Sequence, residues 1–458
     1  MGMLYQWREV QRAFLQPLSD WAMSASQMYA NPYSLLSYLP GAPRVSAGLE
    51  LLYRLGRDYE KPAFGIDAVT IEGLDVPIVE RTVAELPFCK LVRFERQLPA
   101  QLAAHAHAPR VLVFAPLSGH HATLLRDTVR TLLLDHEVTI TDWVDARMVP
   151  LSRGSFHLDD YVNYCIAFLR LLGPEVHAIS VCQPTVPVMA AVSLMCAMND
   201  QARPLSMTMM GGPIDTRHSP TMVNQYAADR PFAWFEDNLI YRVPGKYPGA
   251  GRRVYSGFLQ HAGFIAMNPD RHATSHWDFY QSLIRGDLED ADQHRRFYDE
   301  YNAVLDMPAE YYLDTIHTVF QEHRLPEGTW DVRCEGRIMR VDPGAIEDVA
   351  LLTIEGELDD ISGPGQTEAA HRLTPALPAA AKRHHLAPGA GHYGIFSGRR
   401  WREQIYPLVR DFIAGHRQRV GVQAAHGSPS GEGRPQGSSA AILPFQSGAV
   451  SAHARQPR

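Results

Sequence analysis

The sequence predicts an α/β fold, a doubly wound and mostly parallel sheet interrupted by one inserted, mainly helical segment. Three observations carry that prediction. Short β-branched runs alternate with runs of helical spacing through the first half of the chain, the pattern of βαβ units. The alternation stops near Asp215 and resumes with the apolar run 349–354. Before that break Cys182 sits where an apolar run ends and a helix-like run begins, a strand-turn-helix junction that lifts a side chain above the edge of a parallel sheet.

The elements follow in order. Residues 1–60 read as an N-terminal helical segment, with Leu4, Trp7, Val10, Phe14 and Leu18 three or four apart. Packing on the main domain is the expected role of such an apolar face, with holding a partner or polymer surface as the alternative. Strands are expected at 68–72 and 76–80, around a Gly-Leu-Asp turn, and at 90–94. The run 110–115 is continuously apolar, as in a buried parallel strand. A helix at 124–135 and a strand at 137–141 follow. A helix at 158–172 is stopped by Gly173 and Pro174. Strand 176–181, helix 188–198 and strand 204–210 complete this first part. The expected organisation is a core over 61–215, an inserted cap over 216–343, a second part of the core over 344–415 ending in a helix at 404–413, and a tail over 416–458. The tail is rich in Gly, Ser, Pro, Ala and Gln, a composition that predicts disorder.

Bulk properties exclude several functions. The 458 residues are 45% apolar and 20% charged, enough for a full core without cross-links. A net charge of −7 gives no footprint for nucleic acid or anionic lipid. No run is long and apolar enough to span a bilayer, and the N-terminus lacks a signal-peptide core, so a place inside the cell is expected. The cysteines at 89, 165, 182, 196 and 334 are scattered and odd in number, which predicts neither a zinc site nor a disulfide framework. No pattern in the sequence reads out an oligomeric state.

Cys182 is the candidate nucleophile. A thiol at the start of a helix, beside an imidazole, is readily activated. Its flanks are Ser180 and Pro184, where such an elbow usually carries glycines. Asp359, in a Gly-x-x-Asp-x-Ile setting after a strand, is the candidate acid, favoured by its spacing over Asp360. His392, in the Gly-rich loop 387–394, is the candidate base. The order nucleophile, acid, histidine is that of an α/β-hydrolase. An oxyanion hole is expected from the backbone N–H of Gln183 and one from the loop after strand 110–115, either Leu117 or Ser118. Ser118 and Ser180 fit less well as nucleophiles. His120 and His121 are adjacent on a loop with no third ligand, so no metal is expected, and no cofactor either. The cap aromatics, Phe264 and Phe279 among them, suit either an apolar substrate groove or helical core.

Seven strings add a resemblance. They are Asn-Pro-Tyr-Ser at 31–34, the segment 53–65, Pro-Leu-Ser-Gly-His at 116–120, 141–147, Val-Cys-Gln-Pro at 181–184, Met-Gly-Gly-Pro-Ile-Asp at 210–215 and Gly-His-Tyr-Gly at 391–394. Through them the chain, from Met3 to about Arg417, resembles the intracellular poly(3-hydroxybutyrate) depolymerases. The resemblance implies a Cys-Asp-His triad on Cys182, Asp359 and His392. It implies ester cleavage of the amorphous polymer in cytoplasmic storage granules, releasing 3-hydroxybutyrate oligomers and monomer. The granule surface would be the partner. Water is the expected acyl acceptor, with coenzyme A as the other candidate. The alternatives are a polyhydroxyalkanoate synthase, whose nucleophile usually lies between glycines, and a non-catalytic granule coat protein.

Overall fold

The computed structural model describes residues 3–267, 269–420 and 441–442. The chain opens with a helical hairpin. Helix α1 (Met3–Ala30) contains Pro17, and α2 (Ala42–Gly56) begins with Pro43 in its first turn, where a missing N–H costs nothing. An antiparallel ribbon of β1 (Ala68–Ile71), β2 (Leu74–Leu86) and β3 (Cys89–Arg96) follows. The central units are β4 (Arg110–Phe114), α3 (Arg126–Leu132), β5 (Glu137–Trp143), α4 (Leu158–Leu172), β6 (Val176–Val181), α5 (Thr185–Ala197) and β7 (Ser206–Met210).

Local chemistry fixes the boundaries. Asp160 closes a capping box at the start of α4 by accepting the His157 N–H at 2.8 Å. Gly173 ends that helix at φ +76. Every residue of β6, β7 and the first eleven of α5 is buried, so these segments read as apolar on all sides.

The chain then leaves the sheet for 139 residues, between Met210 and Ala350. This insertion holds α6 (Met222–Ala228), α7 (Phe232–Leu239), β8 (Ile240–Arg242), β9 (Arg253–Tyr255), α8 (Gly257–Met267), α9 (Pro269–Arg285), α10 (Leu288–Tyr301), β10 (Met307–Pro308), α11 (Ala309–Thr315), β11 (Asp331–Cys334) and β12 (Arg337–Arg340). It is not purely helical. Strands β10, β9 and β8 form a small antiparallel sheet, and β11 and β12 a hairpin. The main sheet resumes with β13 (Ala350–Gly356) and β14 (Lys382–Ala387), and a helix at Tyr406–Gly415 closes the core.

The main sheet runs β1-β2-β3-β5-β4-β6-β7-β13-β14, antiparallel from β1 to β5 and parallel from β5 to β14. Because β4 is flanked by β5 on one side and β6 on the other, the connections diverge at the C-terminal ends of β4 and β6. That switch point is where open α/β sheets form their ligand crevice.

Several expected boundaries shift by a few residues, and two strands differ more. β2 is 13 residues long rather than five, and β14 has no counterpart among the expected strands. Its Lys-Arg-His-His sequence reads as polar loop, yet it pairs as the sheet's last parallel strand, where only one edge is covered. Most of the tail expected to be disordered, 421–440 and 443–458, lies outside the described residues. Within it Arg419 donates to the carbonyls of Gln201 and Arg203, and Ala441–Ile442 pair with β2 as β15.

Candidate active site

The turn after β6 holds Cys182 at φ +68. A left-handed conformation at a side chain-bearing residue costs about 1–3 kcal/mol and persists only where the surroundings enforce it. Here the Cys182 N–H is held by the Met210 carbonyl at 2.7 Å, and its carbonyl accepts from Thr185 N–H at the start of α5. The thiol is half-buried at the head of that helix.

The elbow lacks its usual flanking glycines, and the structure relieves the crowding on the neighbouring strand instead. Gly211 and Gly212 follow β7 directly. A Cβ on Gly212 would fall 1.9 Å from Thr185 Oγ1, so α5 can start this close to the sheet only because position 212 is bare. Ser180, the rival on the strand side, is fully buried and its hydroxyl donates to the Thr208 carbonyl, away from the crevice.

Asp359 and His392 follow β13 and β14. Asp359 Oδ2 accepts from His392 Nδ1 at 2.7 Å, while its Oδ1 accepts from the N–H groups of Ile361 and Ser362, both at 2.9 Å. All carboxylate interactions are thus directed, and the side chain is shut off from solvent. Asp360 next to it is exposed. Burial disfavours a charged ring at His392, but the charges of Cys182 and Asp359 and the Asp359 hydrogen bond hold its pKa well above the ordinary histidine value. A ring fixed by a carboxylate on Nδ1 leaves Nε2 free to exchange a proton with a nucleophile.

The N–H of Gln183 and those of Leu117 and Ser118 donate to no protein acceptor among the described residues. They lie on the two turns that flank the switch point, after β6 and after β4. The β4 turn is tied to the cap: Leu305 N–H donates to the Gly119 carbonyl at 2.8 Å, and His120 pairs with Val304. His120 stacks on Phe264 at 4.7 Å, and its Nε2 meets the Tyr301 carbonyl. Burial lowers His120 to about 4 and His121 to about 3, so both are neutral packing groups. Among the described residues Glu355, Glu368 and His384 bring possible ligand atoms within 4.8 Å of one another. Glu355 is already engaged by the N–H groups of Gly365, Thr367 and Glu368.

Sequence reasoning did not find Tyr311, on α11. Its ring is fully buried, stacks on Tyr161 at 5.6 Å, and its pKa is raised first by burial and then by the charge of Cys182. Its hydroxyl and the Gln183 side-chain oxygen are both buried. No local motif signals this contact, since 129 residues separate Tyr311 from the elbow. A cleft of about 900 Å³ opens at His392 and Tyr393, walled by Phe264, Phe279, Tyr298 and Tyr301 of the cap. Two of the expected aromatics, Phe264 and Phe279, therefore serve the cleft. Phe235 is helical core of the insertion, and Trp277 is largely exposed.

A sheet of this order, with the cysteine turn after β6 and the acid and histidine after β13 and β14, defines an α/β-hydrolase. Residues 211–417 match the family model described as PHB de-polymerase C-terminus. It is an ester hydrolase.

Among solved structures, 2-hydroxy-6-oxo-6-phenylhexa-2,4-dienoate hydrolase of Rhodococcus sp. strain RHA1 is 11% identical, with 74% of this chain and 99% of that chain covered and a TM-score of 0.41. A monoacylglycerol lipase of Paleococcus ferrophilus is 12% identical, covering 67% and 94%, with a TM-score of 0.37. No curated protein matches the chain. No helix among the described residues is long and apolar enough to cross a membrane.

Proposed function

We propose that the protein is an intracellular depolymerase that cleaves the esters of amorphous poly(3-hydroxybutyrate) on storage granules, through Cys182, Asp359 and His392. The observation that carries this reading is the strained Cys182 turn facing a histidine whose other nitrogen is locked to a buried carboxylate. The family-model match over 211–417 supports a polyester of this class as the substrate.

In this mechanism His392 Nε2 takes the thiol proton, and Cys182 Sγ bonds to the ester carbonyl carbon. The oxygen gains the electron pair and rests on the N–H of Gln183 and of Leu117 or Ser118. Collapse breaks the C–O bond; His392 returns its proton to the departing oxygen, which leaves as a free hydroxyl end. The acyl group stays on Cys182 as a thioester. Water, deprotonated by the same nitrogen, attacks it. The C–S bond breaks, the carboxylic acid departs and the thiol is restored. Asp359 keeps the ring in the useful tautomer throughout.

The test is release of 3-hydroxybutyrate from protein-free amorphous polymer particles by wild type and by Cys182→Ala. Release that disappears in the variant is expected. Undiminished release by the variant would remove Cys182 from the chemistry. Polymer formation from 3-hydroxybutyryl-CoA would replace hydrolysis by synthesis.

A further inference from the structure

Helix α1 is turned inside out. Leu4, Trp7, Val10, Phe14, Leu18 and Trp21 fall within an arc of about 120° at 3.6 residues per turn, a stripe ~26 Å long at 1.5 Å per residue. All six are exposed, Trp7 to 61%, Val10 to 68% and Phe14 to 79%. The following turn adds Tyr33 and Leu35, at 96% and 87%. Amphipathic helices of soluble domains ordinarily bury this face.

What α1 and α2 turn toward the body is small or polar. Ala22, Ala25 and Ala47 are buried, and within the hairpin the Ser26 hydroxyl of α1 donates to the Ser46 carbonyl of α2 at 2.9 Å. Tyr5 donates to Asp306 at 2.6 Å, Glu9 pairs with Lys246, Arg54 with Asp299 at 2.8 Å, and Glu50 with Arg295 at 2.7 Å. The hairpin is therefore fastened by directed polar contacts that leave its large apolar side chains free. Exposed apolar area on the order of several hundred Å² marks an interaction surface.

We propose that this stripe seats the protein on the uncharged polyester surface itself. The inference rests on the depolymerase reading. Two observations favour this occupant. The charges of α1 balance, Arg8 and Arg12 against Glu9 and Asp20, so an anionic lipid surface gains no attraction while a neutral polymer loses none. The hairpin also adjoins the cleft wall: α2 is ion-paired to α10 through Arg54–Asp299 and Glu50–Arg295, and Tyr298 and Tyr301 of α10 line the cleft that opens at His392. Docking surface and substrate cleft are one helix layer apart.

The test compares Cys182→Ala with the same protein carrying Trp7→Ser, Phe14→Ser and Trp21→Ser, by co-sedimentation with protein-free amorphous poly(3-hydroxybutyrate) particles. The triple change should weaken particle binding roughly tenfold or more, given the apolar area removed. The triple variant with Cys182 intact should still cleave a soluble 3-hydroxybutyrate trimer at the wild-type rate, which shows that the fold and the triad survive. Particle binding that persists in the triple variant overturns the proposal. So does a wild-type dimer that the changes convert to a monomer, and so does wild-type binding to phosphatidylglycerol vesicles that matches its binding to particles. Wild type that binds particles through the stripe but releases nothing from them would sink the depolymerase reading and leave the docking surface standing.

Discussion

Gly211 lies directly against His392: a Cβ at position 211 would come within 3.2 Å of His392 Cε1, 3.3 Å of Asp359 Oδ2 and 2.8 Å of Ile395 Cδ1. Its φ of +56 is itself a conformation that side chains resist. The room occupied by Asp359 and His392 is thus set by an atom missing just after β7.

Gly211→Ala should therefore damage both stability and turnover. Strain of about 1–3 kcal/mol is expected for a side chain held in that conformation. The imidazole must also shift by a few tenths of an ångström. Urea unfolding together with kcat on a soluble ester measures the two effects. A variant with the wild-type kcat would show that the ring tolerates displacement.

Asp359→Asn keeps the shape but offers an amide N–H₂ where Nδ1–H needs an acceptor. The wrong tautomer should lower kcat by roughly 10⁴. Asp360→Asn, on an exposed side chain, should leave kcat near wild type. Comparable losses in the two variants would mean that the neighbouring carboxylate orients the base.

Alkylation separates the cysteines. Burial raises the thiol pKa of Cys89, Cys165 and Cys334, and that of Cys196 to about 12. Cys182 alone combines partial exposure with a helix start and a neighbouring imidazole. Iodoacetamide at neutral pH should label Cys182 first in the folded protein, with activity falling in proportion. Peptide mapping that finds another cysteine labelled first would count against an activated thiol.

Asp145 supplies a pH dependence away from the site. Burial, with the charge of Asp306 beside it, pushes its pKa up to about 7 despite Arg147. The unfolded value is about 3.9. The folded state thus binds the extra proton, so the contribution to stability is full below about 3.9 and is lost as pH rises through about 7. The stability of wild type relative to Asp145→Asn should decline across that window. Urea curves for the two proteins that keep a constant separation throughout would place the proton elsewhere.

The parallel core was legible because its strands are buried on both faces and read as apolar runs. Strand 176–181 and helix 158–172 coincide with the observed elements to the residue. β14 was not legible, because an edge strand needs no apolar face. Nor were β8, β9 and β10, whose two or three residues carry no periodicity. Cys182, Asp359 and His392 stood out because each follows a strand, and the structure brings them together. Tyr311 and the bare positions 211 and 212 act through space, and no local pattern encodes a contact between distant segments. The N-terminal periodicity was visible in the sequence, but which way its apolar face points depends on what the rest of the hairpin offers the body.

The insertion between β7 and β13 has a consequence for the order of events during synthesis. Cys182 leaves the ribosome about 180 residues before Asp359, and Ile354 must find Met210 across the whole cap before β13 can dock. Pairing over such a separation is slow and comes late. A chain released early, at any point before the last two strands, carries the thiol and the crevice but neither partner. Under the proposed mechanism, chemical competence therefore arrives only after β13 and β14 have been made.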